Sequence, residues 1–233
     1  MSFSTRAGQE PLLGAYLSIE STSSAHIMGR AGFDWLLIDM EHAPLSARET
    51  TSLVHAIAVG SHGKCASLVR IPAIGVEWVK WALDSGATGI VAPMVQSKEE
   101  AERLARFARY PPLGERSFRP FNAPWADLSL DSSVQKYLST TSRDIAVIAM
   151  IESRAGGADG QEPEYVQALE RIVRIARREK IGVGIFSATP EALKVHLAMG
   201  FNFVLVAGDS TALMNGATMA MDSASETRRG IKL

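Results

Sequence analysis

Trp35-Leu36-Leu37-Ile38 is followed at once by Asp39-Met40-Glu41-His42, and this stretch decides the fold. The apolar run predicts a strand that is buried on both faces, as strands of parallel sheets are. The carboxylates and the imidazole that follow would be costly to bury without a partner, so core packing does not explain them. In α/β barrels the chemistry lies at the carboxyl ends of the strands. We therefore expect His42 to have a functional role.

Apolar runs and helical segments alternate along the whole chain. The runs that predict strands are Leu12–Leu17, Trp35–Met40, Ala66–Ile71, Gly89–Val95, Ile145–Ile151, Ile181–Phe186 and Phe203–Ala207. The segments with helical periodicity are Ala25–Ala31, Ala47–Val59, Gly75–Leu83, Lys98–Ala108, Pro163–Arg178 and Pro190–Met199. This alternation favours an α/β fold of the (β/α)8 TIM-barrel type.

The predicted barrel is one strand short, because a closed barrel of this type has eight strands. The irregularity is local: only residues 153–162 lie between the fifth predicted strand and the helix that begins at Pro163. They are too few for a helix, a strand and two turns. We predict a single domain over residues 1–233 that lacks the segment carrying the sixth strand.

Composition narrows the function classes. The 233 residues are 46% hydrophobic and 21% charged, which is typical of one globular domain. A formal net charge of −1 provides no broad field for nucleic acid or a membrane surface, whereas small ligands remain possible. The single cysteine, Cys65, excludes an intramolecular disulfide and a cysteine-based zinc cluster. With no apolar run of transmembrane length, we predict a cytoplasmic protein.

Two further charged residues end predicted strands. Arg70 closes the third strand, where it could meet an anionic substrate or form a structural ion pair with Asp39 or Glu41. Glu152 closes the fifth strand, where it could face the active-site mouth formed by the carboxyl ends of the strands, or cap the following turn.

Several other polar residues have less distinctive positions. Asp84 lies near the end of a predicted helix, where the helix dipole disfavours a negative charge. This suggests a partner such as His42, with a solvated surface carboxylate as the alternative. Asp209 has the position of a helix cap. The remaining histidines are predicted to be structural or surface residues: His26, His55, His62 and His196.

The stretch from Gly32 to Pro44 resembles the signature of the HpcH/HpaI aldolase family. Further motifs follow in that family's order: Leu68-Val69-Arg70, Ala82-Leu83-Asp84-Ser85-Gly86-Ala87, Ala92-Pro93-Met94-Val95, Ala108 to Ser117, Met150-Ile151-Glu152 and the final strand to Asp209. The resemblance spans most of the chain.

This resemblance implies a barrel that cleaves or forms the C–C bond of a 2-oxo acid and an aldehyde with a divalent metal: Mg²⁺, Mn²⁺ or Co²⁺. By resemblance, His42 is the general base, Asp84 raises its basicity, Arg70 stabilises the pyruvate enolate and Glu152 binds the metal. Oxaloacetate decarboxylation would use the same enolate. The family often forms homo-oligomers, namely hexamers, with the last helix, here about residues 209–233, exchanged between subunits.

The chain departs from the family at two places. The family's sixth strand, with its second metal carboxylate, has no counterpart, and roughly 30 residues are missing as a block, about one strand–helix unit. Asp159 follows this gap and is a poor substitute ligand. A family glutamine that contacts substrate is replaced by Met150.

Three functions remain open from the sequence. The first is the metal-dependent aldolase or lyase. In it the loop from Tyr110 to Asp144 would help to select the aldehyde, or would only pack on the surface. The candidate residues of this loop are Arg116, Arg119, Trp125 and Tyr137. The second is a binding or assembly subunit, impaired in catalysis because the second metal carboxylate is missing. The third is a citrate-lyase-type subunit, which would need a coenzyme A site that the sequence does not reveal.

Overall fold

The structure is a computed structural model that describes residues 3–126, 133–152 and 162–230. The strands are β1 (Leu12–Leu17), β2 (Trp35–Asp39), β3 (Ala66–Arg70), β4 (Gly89–Ala92), β5 (Ala146–Ala149), β6 (Gly184–Phe186) and β7 (Phe203–Gly208). The helices are α1 (Phe3–Ala7), α2 (Thr22–Arg30), α3 (Ala47–Ser61), α4 (Val76–Asp84), α5 (Lys98–Ala108), α6 (Val134–Lys136), α7 (Pro163–Glu179), α8 (Pro190–Met199) and α9 (Asp209–Gly230). No described helix is long and apolar enough to cross a membrane.

The strands form one parallel sheet in the order β5-β4-β3-β2-β1-β7-β6. This is the order of a barrel that is open between β5 and β6, where the missing strand was predicted. Within the described residues, these two edge strands each pair on one side only. The opening exposes apolar side chains, including Phe186 at the end of β6, which is 53% accessible. The prediction of an incomplete barrel is confirmed.

The two faces of β2 pack in different layers, as its continuous apolar sequence predicts. Leu36 and Ile38 belong to the core between the sheet and the helices. Trp35 and Leu37 belong to a second core inside the curve of the sheet. The side chains alternate between the layers because successive residues of a strand point to opposite faces.

The sheet curves strongly around this inner core. The rings of Trp35 in β2 and Phe203 in β7 have centroids 6.0 Å apart, although β1 lies between the two strands. Gly14 of β1 makes the approach possible, because a Cβ atom there would lie 2.2 Å from Cε2 of Trp35. The curvature therefore depends on a strand residue without a side chain.

Helix α1 closes the N-terminal end of the inner core and was not predicted from the sequence. Phe3 packs edge-on against both Trp35 and Phe203. Arg6 forms an ion pair with Asp34, just before β2. A five-residue helix is too short to produce a periodic sequence pattern.

Five strands are shorter than predicted, namely β2, β3, β4, β5 and β6. β2 ends at Asp39 and β4 at Ala92, before Pro93, which has no N–H to donate to a ladder. β6 begins only at Gly184, because it pairs with β7 alone in the described sheet. Helix α2 begins earlier than predicted, since the side chain of Ser21 accepts a hydrogen bond from the N–H of Ser24 and caps it.

Candidate active site

Arg70 and Asp39 form the centre of a charged cluster at the carboxyl end of the sheet. Asp39 is paired with Arg70 in the register of β2 and β3, so the two side chains end neighbouring strands at the same level. Nε of Arg70 donates to Oδ1 of Asp39 at 2.9 Å, and Nη2 donates to Oδ2 at 2.6 Å. This two-pronged pair holds the guanidinium in a fixed plane.

Glu41 and His42 continue the cluster beyond β2. The backbone N–H groups of both residues donate to Oδ1 of Asp39, at 3.0 and 3.3 Å, which folds the chain back over the strand end. Oε2 of Glu41 lies 3.2 Å from Nη1 of Arg70 and 3.8 Å from Nε2 of His42. The His42 side chain is 72% accessible, so its imidazole is open to a substrate in the mouth.

Glu152 approaches the same cluster from β5. Its Oε1 accepts a hydrogen bond from the backbone N–H of Met94 at 3.2 Å, and its charge acts on Arg70. This partner lies 58 residues away, just beyond the end of β4, whereas the turn that Glu152 could cap begins at residue 153, outside the described residues.

The charges of this cluster stabilise one another. Burial raises the pKa of Asp39, but the hydrogen bonds and the charge of Arg70 outweigh it and hold that pKa below its usual range. Burial lowers the pKa of Arg70, whereas Asp39, Glu41 and Glu152 together raise it above the ordinary value. Arg70 thus makes the structural ion pairs that the sequence left as an alternative, in the same mouth as His42.

Three carboxylates around one guanidinium leave a surplus of negative charge, which suits a cation. Oε2 of Glu41 is buried, and among the described residues it has no hydrogen-bond donor with suitable geometry. In the described part of the chain, no three His, Cys, Asp or Glu side chains are arranged so that together they could hold a metal ion. The donors present therefore fit a hard cation held by few protein oxygens and completed by substrate and water, as Mg²⁺ often is.

Asp84 lies at the opposite end of the sheet from His42. It ends α4 and precedes β4, whose first residues are at the N-terminal end of the sheet, whereas His42 follows the carboxyl end of β2. A five-residue strand separates those ends by about 15 Å. Oδ1 of Asp84 accepts a hydrogen bond from Nη2 of Arg116 at 2.6 Å instead. The predicted partnership of Asp84 with His42 is therefore not formed within one subunit.

Arg116 is a buried structural residue rather than a free substrate contact. Its side chain is inaccessible to solvent, its Nη1 donates to the hydroxyl of Tyr137 at 3.0 Å, and it stacks 4.6 Å from the ring centre of Tyr110. Burial raises the pKa of Asp84, and the hydrogen bond and charge of Arg116 only partly offset this.

The long loop shares this location. It connects α5 to β5, and connections from a helix to a strand lie at the N-terminal end of a parallel sheet. Arg109 accordingly donates to the carbonyl oxygen of Ile145, just before β5. Arg119 and Trp125 are exposed. The described contacts of the loop therefore lie at the end of the sheet opposite the mouth.

The remaining predicted positions are placed as follows. Met150 packs partly buried against the inner core, and its backbone pairs with Ala92, at the end of β4, and with Val95 beyond it. Asp159 lies outside the described residues.

Asp209 does more than cap a helix. Its carboxylate accepts hydrogen bonds from the backbone N–H groups of Ser18 and Ile19, which follow β1, besides that of Ser210 in α9. These contacts with Ser18 and Ile19 have no signal in the sequence, because they join residues about 190 positions apart.

Comparisons with known proteins agree with this geometry. Residues 12–162 match the family model described as HpcH/HpaI aldolase/citrate lyase. A hydroxypyruvate/pyruvate aldolase of Paraburkholderia phytofirmans is 30% identical over 91% of this chain and 92% of its own. A 4-hydroxy-2-oxo-heptane-1,7-dioate aldolase of Klebsiella pneumoniae is 31% identical over 91% of this chain and 88% of its own. The chain belongs to the HpcH/HpaI aldolase/citrate lyase family.

A solved structure supports the same conclusion. An HpcH/HpaI aldolase/citrate lyase family protein from Burkholderia cenocepacia superimposes with a TM-score of 0.83 at 27% identity, covering 95% of this chain and 98% of that one. The alignment with the Paraburkholderia aldolase spans 241 positions, more than the 233 residues of this chain, although only 91% of the chain takes part. That relative therefore has residues without a counterpart here, in agreement with the missing block.

Proposed function

We propose that this protein is a divalent-metal-dependent aldolase or lyase that cleaves or forms C–C bonds of 2-oxo acids through a pyruvate enolate. The observation that carries the proposal is the cluster of Arg70, His42 and Glu152, which brings a fixed cation, an open base and a carboxylate to one end of the sheet. The relatives named as aldolases of pyruvate and of a 4-hydroxy-2-oxo acid support the substrate class.

Arg70 is suited to stabilise the enolate. Asp39 and Glu41 fix its guanidinium before substrate arrives, so little reorganisation is needed when negative charge develops on the substrate oxygen. Arginine also matches the planar carboxylate of a 2-oxo acid.

His42 is suited to move the proton. Its side chain is 72% accessible, and imidazole is the usual proton carrier near neutral pH. Backbone hydrogen bonds to Asp39 hold the turn that carries it.

Glu152 would hold the metal, which we propose to be Mg²⁺, Mn²⁺ or Co²⁺. When bound, such an ion supplies Lewis-acid polarisation of the 2-oxo group. Met150 would border the pocket with an apolar side chain. A cytoplasmic location agrees with the single buried cysteine.

The first experiment follows the methyl protons of pyruvate by NMR in D₂O with Mg²⁺ or Co²⁺, because enolisation needs no second substrate. We expect exchange in the wild type and its loss in Arg70→Ala and Glu152→Gln. An Arg103→Ala variant, altered in an exposed arginine of helix α5, is the matched control. Exchange that survives in Arg70→Ala would refute the enolate assignment. Oxaloacetate decarboxylation can be followed in the same samples.

The second candidate function is a binding or assembly subunit with impaired catalysis. It is favoured by the lack of a three-residue metal group among the described side chains and by the open edge beside β5. A folded wild type that exchanges no pyruvate protons with any of the three metals would favour this function over the first.

Asp84 could assist His42 only from a neighbouring subunit, because the two lie at opposite ends of the sheet. We propose this arrangement within a homo-oligomer, a hexamer by resemblance, which would also bring the loop from Tyr110 to Asp144 to a neighbour's mouth. Mixing His42→Ala subunits with Asp84→Ala subunits tests it. Random assembly should restore about one site in four, whereas a site built within one subunit would regain nothing.

The exchange of the C-terminal segment, about residues 209–233, remains part of the proposal. Helix α9 presents large apolar side chains to solvent in the single chain, and each is at least 60% accessible: Leu213, Met214, Met219 and Met221. Such a surface is typical of a helix that packs on a second copy. Polar replacement of Leu213 and Met214 should reduce the oligomer in sedimentation velocity, and an unchanged oligomer would contradict the exchange.

A further inference from the structure

The pairing of β4 with β5 becomes irregular directly beside Glu152. The N–H of Met150 donates to the carbonyl oxygen of Ala92 at 2.8 Å, and its own carbonyl oxygen accepts from the N–H of Val95 at 3.1 Å. In a regular parallel ladder the second donor would be residue 94. One extra residue is therefore inserted, which is a β-bulge.

Met94 is the residue that the bulge releases. Its φ is +53°, in the left-handed region that residues other than glycine seldom adopt. Its side chain is 49% accessible, so burial gives little compensation for this conformation. Strained backbone of this kind is concentrated at functional sites.

The released N–H of Met94 points to Glu152. It donates to Oε1 at 3.2 Å, so the group that would have continued the ladder binds a carboxylate instead. Bulges next to active sites often redirect groups in this way. Because Glu152 is exposed at the open edge, this backbone contact limits the orientations of its side chain.

We propose that Met94 is a positioning residue: its left-handed backbone conformation directs its N–H to Glu152 and so orients that carboxylate for the divalent cation. The inference rests on the proposed function, since it takes Glu152 as the metal ligand. With one oxygen of Glu152 held by Met94, the other remains available to the ion.

The test compares Met94→Leu with Met94→Ile. The two replacements have the same volume and apolar character, but isoleucine is branched at Cβ and tolerates positive φ poorly. We expect Met94→Leu and Met94→Gly to bind Mn²⁺ as the wild type does, in titrations followed by electron paramagnetic resonance without substrate. Met94→Ile should bind it about tenfold more weakly, the size expected when a left-handed residue is disfavoured.

Kinetics and a double variant separate positioning from a general structural defect. Where exchange activity is measurable, Met94→Ile should raise the metal concentration needed for half-maximal rate and leave the rate at saturating metal within about twofold. In a Glu152→Gln background the same replacement should have no further effect on Mn²⁺ binding. Equal Mn²⁺ affinity of Met94→Leu and Met94→Ile would overturn the inference.

An NMR measurement keeps the test valid if Met94→Ile does not fold. The amide proton of Met94 should move upfield in Glu152→Gln, because the charged acceptor is lost. The amide proton of Val95, bonded to Met150, serves as the control and should move little. An unshifted Met94 amide would refute the contact. If Glu152→Gln binds Mn²⁺ like the wild type, the metal assignment in the proposed function fails instead.

Discussion

Replacing Arg116 by methionine should strongly destabilise the fold. The side chain of Arg116 is fully buried, and its replacement removes the hydrogen bonds to Asp84 and Tyr137. Removing one partner of a buried ion pair costs about 3–5 kcal/mol, since the other charge is left uncompensated. Asp84 is 22% accessible and can regain some hydration, so we expect the lower end, about 3 kcal/mol.

Urea unfolding followed by circular dichroism measures this change in the free energy of unfolding. In a thermal scan the same loss should lower Tm by roughly 6–12 °C for a chain of this length. Arg119→Met is the matched control, because that arginine lies in the same loop but is exposed, and its effect should stay within about 0.5 kcal/mol.

A double variant identifies the cause. Arg116→Met combined with Asp84→Asn leaves no buried charge, so it should recover much of the lost stability relative to Arg116→Met alone. The reasoning would be refuted if Arg116→Met cost less than about 1 kcal/mol, or if adding Asp84→Asn lowered stability further.

Three further predictions concern the rest of the fold. Because Arg70 lowers the pKa of Asp39, the pair should stabilise the protein above about pH 4 and lose this contribution as the pH falls through the lowered pKa. The wild type should therefore exceed Asp39→Asn in unfolding free energy by about 2 kcal/mol at pH 7, and this difference should shrink toward pH 3. A constant difference from pH 7 to pH 3 would contradict this. Burial raises the pKa of the Cys65 thiol to about 12, so a disulfide reagent should modify this thiol only as fast as the protein opens. Rapid modification of the native protein would contradict this, because it would show that the thiol is accessible. Gly14→Ala should lower the free energy of unfolding in urea by about 1–3 kcal/mol, since its Cβ would overlap the ring of Trp35. The control Gly216→Ala should not destabilise the protein, because the space around Gly216 is free. Equal stability of the two variants would refute the account of the curved sheet.

Much of the fold follows from local sequence pattern. The strand from Trp35 is continuous in apolar residues because both of its faces are buried, and its predicted start is confirmed. Predicted strand ends were less accurate where pairing decides them, as at β4, which the ladder with β5 terminates before Pro93.

The residues of the candidate active site were predictable where they follow directly from the ends of the predicted strands. Arg70, His42 and Glu152 could be assigned to one mouth because parallel strands end at the same edge of the sheet. The pairing of Asp84 with His42 is not formed within one chain, and motif order does not reveal that a helix end and a strand end lie at opposite edges. The positive φ of Met94 had no signal in its residue type.

The sequence by itself determined the parallel α/β architecture, the place of the missing strand and the charged residues of the mouth. These features depend on residue type and spacing along the chain, which burial and periodicity translate directly into elements. Only the tertiary structure decided that Arg70 is held by Asp39 and Glu41, that Arg116 binds Asp84 and that Met94 binds Glu152. Those contacts join residues distant in sequence, and their geometry depends on how the strands are registered and how the sheet curves.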